Sequence, residues 1–362
     1  MNKEDFLLIF SSSINGIVWG ANVLIIPLYF KSLGLSPLTI GEIISGSIIV
    51  NTILSLLWAT LGDAYGRKKF IFISRGLGAI SLFLLLFFPF SYLLANQGYG
   101  LISALMAEKS EDLDKAMAYR SSLNTLFSVF GSLLPLIIPY KDIIMLESII
   151  TLLAIILLIP VRENYKGTGK PTLRISSFKL LGKLSTEAII GLGAGILLPM
   201  LSLWFNLRFG VQASSLSPIY AISEVSLALG TLGAPILGRT LGRIRAIFLT
   251  HIIAILILFI MPFSDSLLIA GTLYVLRNTL MNLTSPLMNT LIFKAVREEE
   301  RSRISSMLQL IDAIPRSIGP SLTGYLFEIG NLSVPFFITG TLYLISTLLF
   351  YTFFKDLKVW IR

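Results

Sequence analysis

The chain has 362 residues, of which 54% are hydrophobic and 14% are charged, and its mean hydropathy is +0.82. A soluble domain of ordinary composition contains about 25% charged residues, so these values exclude that class and indicate a protein of the lipid bilayer. The formal net charge is +9, but the basic residues are scattered along the chain, which excludes a nucleic-acid-binding patch. The sequence has no cysteine, which excludes disulfides and thiolate metal sites.

A helix needs about 20 apolar residues to cross the hydrocarbon core of a bilayer. The sequence contains twelve apolar stretches of suitable length, most of them separated by short polar loops. In chain order, we predict spans at approximately residues 6–31, 37–61, 69–89, 91–107, 117–139, 142–161, 184–207, 214–237, 244–262, 266–293, 304–328 and 332–354. The predicted fold class is therefore an all-α membrane protein with twelve transmembrane helices.

The loops after the second and eighth predicted spans repeat each other. The first reads LGDAYGRKKFIF over residues 61–72, and the second, which begins 176 residues later, reads LGRTLGRIRAIF over residues 237–248. Such self-similarity at a fixed offset of about half the chain indicates a duplication. It predicts a six-helix bundle over residues 1–161, a linker over 162–183 and a second six-helix bundle over 184–362.

The distribution of basic residues predicts the orientation in the membrane. An even number of spans places both termini on one side, together with the two repeated loops and the linker. Most of the 29 Lys and Arg residues fall on that side, whereas the opposite loops contain only Lys31, Lys141 and Arg208. By the positive-inside rule, we expect a multi-pass protein of the plasma or inner membrane with both termini in the cytoplasm.

Four ionisable residues fall near the middle of predicted spans: Glu224, Arg277, Asp312 and Arg316. A charge at that depth costs about 3 kcal/mol or more unless it is paired or hydrated, so such residues are candidate functional groups. Asp312 and Arg316 are four residues apart and can pair on one helix face. We interpret Glu224 or Asp312 as a carboxylate that takes up a coupling proton, and Arg277 or Arg316 as a ligand of an anionic substrate group. The alternative is a charge-balanced network that holds helices together.

The first repeated loop carries Asp63, Gly66, Arg67 and Lys68 in a characteristic order. It resembles the loop signature that joins helices 2 and 3 in the major facilitator superfamily, Gly-x3-Asp-(Arg/Lys)-x-Gly-(Arg/Lys)-(Arg/Lys). Ala59 stands where the family often has the first glycine. Apart from this loop, the likeness to the family lies in the hydropathy and layout of the whole chain.

The resemblance implies two six-helix halves related by a pseudo-two-fold axis, a substrate site near the midplane, and alternating access. It also implies a conformational latch. In that latch the carboxylate of Asp63 lies against the start of the eleventh span, near residues 302–305, where free backbone amides and the helix dipole favour negative charge. Arg67 is then expected to pair with Glu108 or Glu111.

Further candidates have weaker signals. Glu187 is a secondary candidate for proton coupling, because the seventh span lines the cavity in the family that the chain resembles. Asn22, Gln97 and Trp204 are candidate substrate ligands, although the amides serve equally well as hydrogen bonds between helices. Glu147 is expected to lie only one to two turns from an interface, where water and snorkelling reduce the cost of its charge.

We therefore predict a secondary active transporter that moves a small organic or amphiphilic solute by alternating access, coupled to protons. The alternatives are a proton-independent facilitator and a non-transporting membrane receptor or lipid-handling protein on the same scaffold. The sequence shows no metal-ligand spacing and no phosphate-binding glycine loop, and it has a single histidine. We predict no enzyme activity, catalytic residue, metal or cofactor. The expected partners are a small-molecule substrate, protons and the lipid bilayer, and the expected state is a monomer.

Overall fold

The computed structural model describes residues 3–95, 99–110, 112–167, 169, 178–285, 287–288 and 301–354. For residues 99–100, 113–114, 178–187 and 301–310 it describes the backbone alone. Over these ranges the chain consists of helices, short 3₁₀ turns and loops, without a β-strand. The predicted all-α class is confirmed.

The α-helices are numbered in chain order. They are α1 (Lys3–Ser13), α2 (Asn15–Ser32), α3 (Pro37–Tyr65), α4 (Arg67–Leu84), α5 (Tyr99–Lys109), α6 (Leu113–Leu133), α7 (Tyr140–Ile156), α8 (Phe178–Leu197), α9 (Leu201–Phe209), α10 (Ala213–Thr240), α11 (Arg243–Ile260), α12 (Leu267–Asn282), α13 (Arg301–Glu328) and α14 (Val334–Phe354).

Within the described ranges, six helical segments are long and apolar enough to cross a membrane. They are Lys3–Ser32, Pro37–Tyr65, Ala188–Phe209, Ala213–Thr240, Arg243–Phe263 and Val334–Phe354. They coincide with the first, second, seventh, eighth, ninth and twelfth predicted spans. Other helices are shorter or carry more charge; for example, α4 begins with three basic residues and contains a fourth. The count of twelve spans stays a prediction.

Proline explains where several α-helices stop. Pro89, Pro135, Pro199 and Pro262 each lie at the start of a 3₁₀ turn. Proline has no N–H group and its ring clashes with the preceding turn, so the α-helical ladder of hydrogen bonds is interrupted there. Consequently the third predicted span, which was expected to reach residue 89, ends as a helix at Leu84.

The chain divides into two compact units. Unit 1 comprises Met1–Gly34, Gly46–Arg174 and Ala213–Ala221, and unit 2 comprises Leu35–Ser45, Ile175–Gln212 and Ile222–Arg362. The beginning of α3 therefore belongs to unit 2, and the beginning of α10 belongs to unit 1. The predicted boundaries at 161/162 and 183/184 stay predictions.

Glycine residues, which lack a Cβ atom, allow the same close packing of helices in both units. In unit 1, a Cβ atom at Gly20 would lie against the carbonyl oxygen of Ser128 on α6. In unit 2, a Cβ atom at Gly195 would lie against the carbonyl oxygen of Arg316 on α13. The pairs α2–α6 and α8–α13 thus approach backbone to backbone.

The repeated loops also share a backbone conformation. Gly66 precedes α4 with φ of 99° and ψ of 138°, and Gly242 precedes α11 with φ of 82° and ψ of 142°. Such positive φ angles favour glycine, because a Cβ atom would be strained there. The duplication read from the sequence is therefore present in the backbone.

Candidate functional site

A cavity of about 300 Å³ lies inside unit 2. The helices α8, α11, α12, α13 and α14 supply its wall. Its lining combines six apolar or aromatic side chains with seven polar or charged ones: Ile190, Ala194, Leu198, His251, Arg277, Met281, Asn282, Thr284, Ser285, Met288, Asp312, Arg316 and Tyr343. Small-molecule sites combine apolar surface with polar groups that fix the orientation of the ligand.

Asp312 and Arg316 form a two-pronged ion pair on the cavity wall. The Nε atom of Arg316 donates to Oδ2 of Asp312 at 2.8 Å, and its Nη2 atom donates to Oδ1 at 2.8 Å. About 30% of the Arg316 side chain and 29% of the Asp312 side chain remain exposed. The pair satisfies its own charges while it stays within reach of a solute in the cavity.

Two glycines of α8 pack against the backbone of Asp312 and Arg316. Cβ atoms at Gly191 and Gly195 would collide with the carbonyl oxygens of Asp312 and Arg316. The equivalent contacts in unit 1 join Gly16 to Asn124 and Gly20 to Ser128. The ion pair thus occupies positions that are neutral in the first copy, so the duplication kept the packing and changed the chemistry.

Arg277 is the unusual residue of the cavity. Its side chain is only 2% exposed, yet none of its three guanidinium nitrogens has a hydrogen-bond partner among the residues that the structure describes. The guanidinium carbon lies 5.4 Å from the centre of the Tyr343 ring, a distance at which a cation is attracted by an aromatic face. Because a buried guanidinium normally has acceptors, the site offers unused donors to a ligand.

The described lining therefore carries one uncompensated positive charge. Asp312 and Arg316 neutralise each other, Arg277 lacks a carboxylate within ion-pair distance in the described part of the chain, and His251 is buried beside it. A small anion that enters the cavity would be attracted by this charge, while the three guanidinium nitrogens themselves are buried. The arrangement is suited to binding an anionic group.

The structure places Glu224 and Trp204 outside the lining of this cavity. Glu224 is half-buried on α10 and is not part of the lining. Trp204 is fully buried against Phe205 and Phe336, with ring centroids 5.0 and 4.7 Å away. It packs in an aromatic cluster and does not face the cavity.

Three further candidate site residues lie in unit 1 or are described only in part. Asn22 belongs to unit 1 and is 7% exposed. Gln97 lies outside the described residues, and for Glu187 only the backbone, within α8, is described. Sequence reasoning missed Tyr343, because nothing in the apolar pattern of α14 distinguishes that residue from its neighbours.

The loop residues of the latch are arranged around the start of α4. Arg67 donates from Nε and Nη2 to Oδ1 of Asp63 at 3.3 Å. The Asp63 side chain is 62% exposed. The Nζ atom of Lys68 donates to the carbonyl oxygens of Ile159 and Val161 at 2.8 and 2.6 Å. The side chains of residues 302–305, expected to receive Asp63, lie outside the described part.

Glu163 is a loop residue that the sequence did not single out. Its carboxylate accepts hydrogen bonds from the backbone amides of Arg67 at 2.5 Å and Lys68 at 3.0 Å, which caps the start of α4. Glu108, expected to pair with Arg67, accepts instead from the amides of Asn164 and Tyr165. Glu111 is outside the described residues. The segment after α7 thus supplies the carboxylate at the start of α4 and the backbone amides that bind Glu108.

Comparisons with known proteins identify the family of the chain. The profile of the Major Facilitator Superfamily matches residues 8–320. The chain belongs to the Major Facilitator Superfamily. No curated protein matches the chain in sequence. Membership confirms the family resemblance seen in the first repeated loop and identifies the chain as a transporter-type membrane protein.

Solved structures of this superfamily share the fold at low sequence identity. A mutant form of the nucleoside transporter NupG has a TM-score of 0.78 at 14% identity over 97% of this chain and 100% of that one. A bacterial homologue of the human lysosomal transporter Spinster, inward-facing and occupied, has a TM-score of 0.73 at 14% identity over 96% and 95%. The human organic anion transporter MFSD10 has a TM-score of 0.70 at 13% identity over 96% and 99%. Such likeness shows the fold alone.

Proposed function

We propose that this protein is a secondary transporter for a small organic anion, and that Arg277 is the residue that binds the anionic group. The observation that carries the proposal is the buried guanidinium, which faces a cavity of about 300 Å³ and has no hydrogen-bond partner among the described residues. A charge in the membrane interior without compensation is costly. A protein keeps such a group where a ligand supplies the missing charge.

The chemistry of arginine narrows the ligand. Its planar guanidinium presents paired N–H donors that match the two oxygens of a carboxylate or phosphate. The cavity lies at the lower end of the volume range of ligand pockets, about 300–1,000 Å³. Tyr343 and the apolar lining provide a surface for an organic body. We therefore infer a compact organic acid that carries a single carboxylate or phosphate group.

Proton coupling is proposed through the Asp312–Arg316 pair. When Asp312 takes up a proton, the carboxyl group loses its charge and the attraction that holds Arg316. Arg316 then becomes a second cation in the same cavity. Anion binding and proton binding would thereby favour each other, which is the linkage that an anion–proton symporter needs. Glu224 and Glu187 remain secondary candidates for the same role.

The remaining parts of the proposal were predicted from the sequence. We propose alternating access between two six-helix halves, cytoplasmic termini, a monomer, and a latch that involves Asp63. Among the similar structures, one is a human organic anion transporter and another is a nucleoside transporter. Their names are compatible with a small organic substrate, but the anionic character is inferred here from Arg277.

The test compares matched pairs of ligands. Purified protein is screened by thermal shift, and reconstituted protein by uptake, against organic carboxylates and their primary amides, which have nearly the same shape without the charge. We expect binding and uptake of one class of carboxylates and neither for the amides. Arg277→Gln should weaken binding about 10- to 150-fold, the value of charge-assisted hydrogen bonds. The exposed Arg208 provides the control Arg208→Gln.

Each alternative gives a different result. Equal uptake of carboxylates and amides, unchanged in Arg277→Gln, would refute the anion site. A proton-independent facilitator predicts that a proton gradient drives no accumulation of substrate in either the wild type or Asp312→Asn. A receptor or lipid-handling protein predicts binding of the ligand without any flux in liposomes.

A further inference from the structure

Glu147 is the most deeply buried carboxyl group in the described part of unit 1. Its side chain is 0% exposed. It lies seven residues into α7, about 10 Å along the helix axis. The expectation that water or snorkelling would relieve its charge is wrong, because depth along a helix says nothing about the face that is covered. The transport site in unit 2 does not use this residue.

Asn22 of α2 is the polar neighbour of Glu147. When its amide nitrogen faces the carboxylate, Nδ2 donates to the two oxygens at 3.0 and 3.2 Å. When the amide is rotated by half a turn, Oδ1 takes the same place and can accept a hydrogen bond from a protonated carboxyl group. Asn22 therefore offers a partner to Glu147 in both its charged and its neutral state.

The charged groups on the helices around Glu147 are engaged elsewhere. On α4, Arg75 donates to the backbone oxygen and Oγ of Ser11. Ser11 in turn donates to the carbonyl oxygen of Ala154, which is seven residues, or about 10 Å, farther along α7.

The remaining titratable groups near α7 are also distant. On α2, Tyr29 is seven residues beyond Asn22 and donates to the carbonyl oxygen of Leu85. Titratable residues at the ends of the neighbouring helices are Lys3, Glu4, Asp5, Lys31, Arg67, Lys68, Lys69, Tyr140, Lys141 and Asp142. Among described residues, no cation lies within ion-pair distance of Glu147.

We propose that Glu147 and Asn22 form a proton-binding site in unit 1. A carboxylate buried without a cation is costly in the membrane interior, whereas a bound proton removes the charge and needs no additional volume. A sodium ion would need several oxygen ligands around it, as hard cations do, and the pair offers three, two from Glu147 and one from Asn22. Release of the proton leaves the carboxylate held by the amide nitrogen of Asn22.

One consequence of this inference, that the proton moves during the transport cycle, rests on the proposed transport function. Proton binding itself is measurable without any substrate. Failure of the organic-anion proposal would therefore leave the Glu147 site intact, and failure of the Glu147 site would leave Arg277 as the anion ligand.

Infrared difference spectroscopy between acidic and alkaline pH tests the site. Wild-type protein in detergent should show a C=O stretching band of a protonated carboxyl group at acidic pH that disappears at alkaline pH. Glu147→Gln should lack that band. The control Glu42→Gln, at an exposed position, should retain it. Identical difference spectra of wild type and Glu147→Gln would overturn the proposal, and so would a Glu147 band that persists at every pH at which the protein stays folded.

A second variant keeps the test valid if Glu147→Gln does not fold. Asn22→Leu leaves the carboxyl group but removes its hydrogen-bond partner, so the same band should move to higher frequency. An unmoved band would show that Asn22 does not contact the protonated group. Repeating the wild-type measurement with choline in place of sodium separates the two cations, because a band that titrates only in sodium would overturn a proton site.

Discussion

Replacement of Arg277 by methionine should stabilise the empty protein and abolish its binding of the anion. In a purely structural role, a buried arginine contributes to folding and its loss is destabilising. In the proposed role, the empty site carries an uncompensated charge that the ligand later neutralises. The two roles therefore predict opposite signs for the change in the free energy of unfolding.

The structure sets the magnitude. Arg277 is 2% exposed and its three nitrogens have no partner among the described residues. An unsatisfied buried polar group costs about 1–3 kcal/mol, and the contact with Tyr343 returns about 0.5–2 kcal/mol. Water that enters the cavity reduces the cost further. We expect Arg277→Met to raise the free energy of unfolding by up to about 2 kcal/mol, the amount by which the cost exceeds the return.

The assay measures chemical and thermal unfolding of wild type, Arg277→Met and the exposed control Arg208→Met in one detergent, with and without the anion found in the ligand screen. Arg277→Met should unfold later than wild type without ligand and should gain nothing from the anion. Arg208→Met should match wild type in both conditions. A loss of about 3–5 kcal/mol in Arg277→Met, the cost of breaking a buried ion pair, would refute the reasoning and favour a structural charge network.

Three further predictions concern the scaffold. Gly195→Ala should destabilise the protein by about 1–3 kcal/mol, because its Cβ atom would meet the carbonyl oxygen of Arg316. Gly233→Ala, at a position with open space around it, should stabilise the protein by about 0.5–1 kcal/mol. Unfolding in detergent measures both variants, and equal effects would contradict the packing. Gly66→Ala, at φ of 99°, should cost about 1–2 kcal/mol, and an unchanged unfolding midpoint would show that this angle is not required. Glu163→Gln should weaken the cap of α4 and speed amide hydrogen exchange in its first turn, and unchanged exchange there would contradict that cap.

Much of the fold was accessible from the sequence because it depends on local patterns. Long apolar stretches predict helices, and the repeated loops predict a duplication. The glycines at 66 and 242 have the same positive φ, so their repetition in the sequence reports a repeated backbone requirement. The 3₁₀ turns at Pro135 and Pro199 were not predicted from the sequence, since proline is also tolerated within helices such as α13.

The candidate site was accessible only in part. Asp312 and Arg316 are four residues apart on one helix, so their ion pair follows from helical geometry. That Arg277 would face the same cavity without a partner depends on the packing of five helices, which one sequence does not reveal. The place of Trp204 in an aromatic cluster was not accessible for the same reason, because its aromatic character suits a packed cluster as well as a cavity.

The sequence by itself determined that this protein is a duplicated helical membrane protein of the Major Facilitator Superfamily, because hydropathy and repeated motifs are properties of the chain. Only the tertiary structure decided which charges are compensated. Burial and pairing depend on residues far apart in the chain: Glu147 meets Asn22 across 125 positions of sequence, and Arg277 meets Tyr343 across 66. The groups proposed to carry protons and anions were distinguished by these long-range contacts.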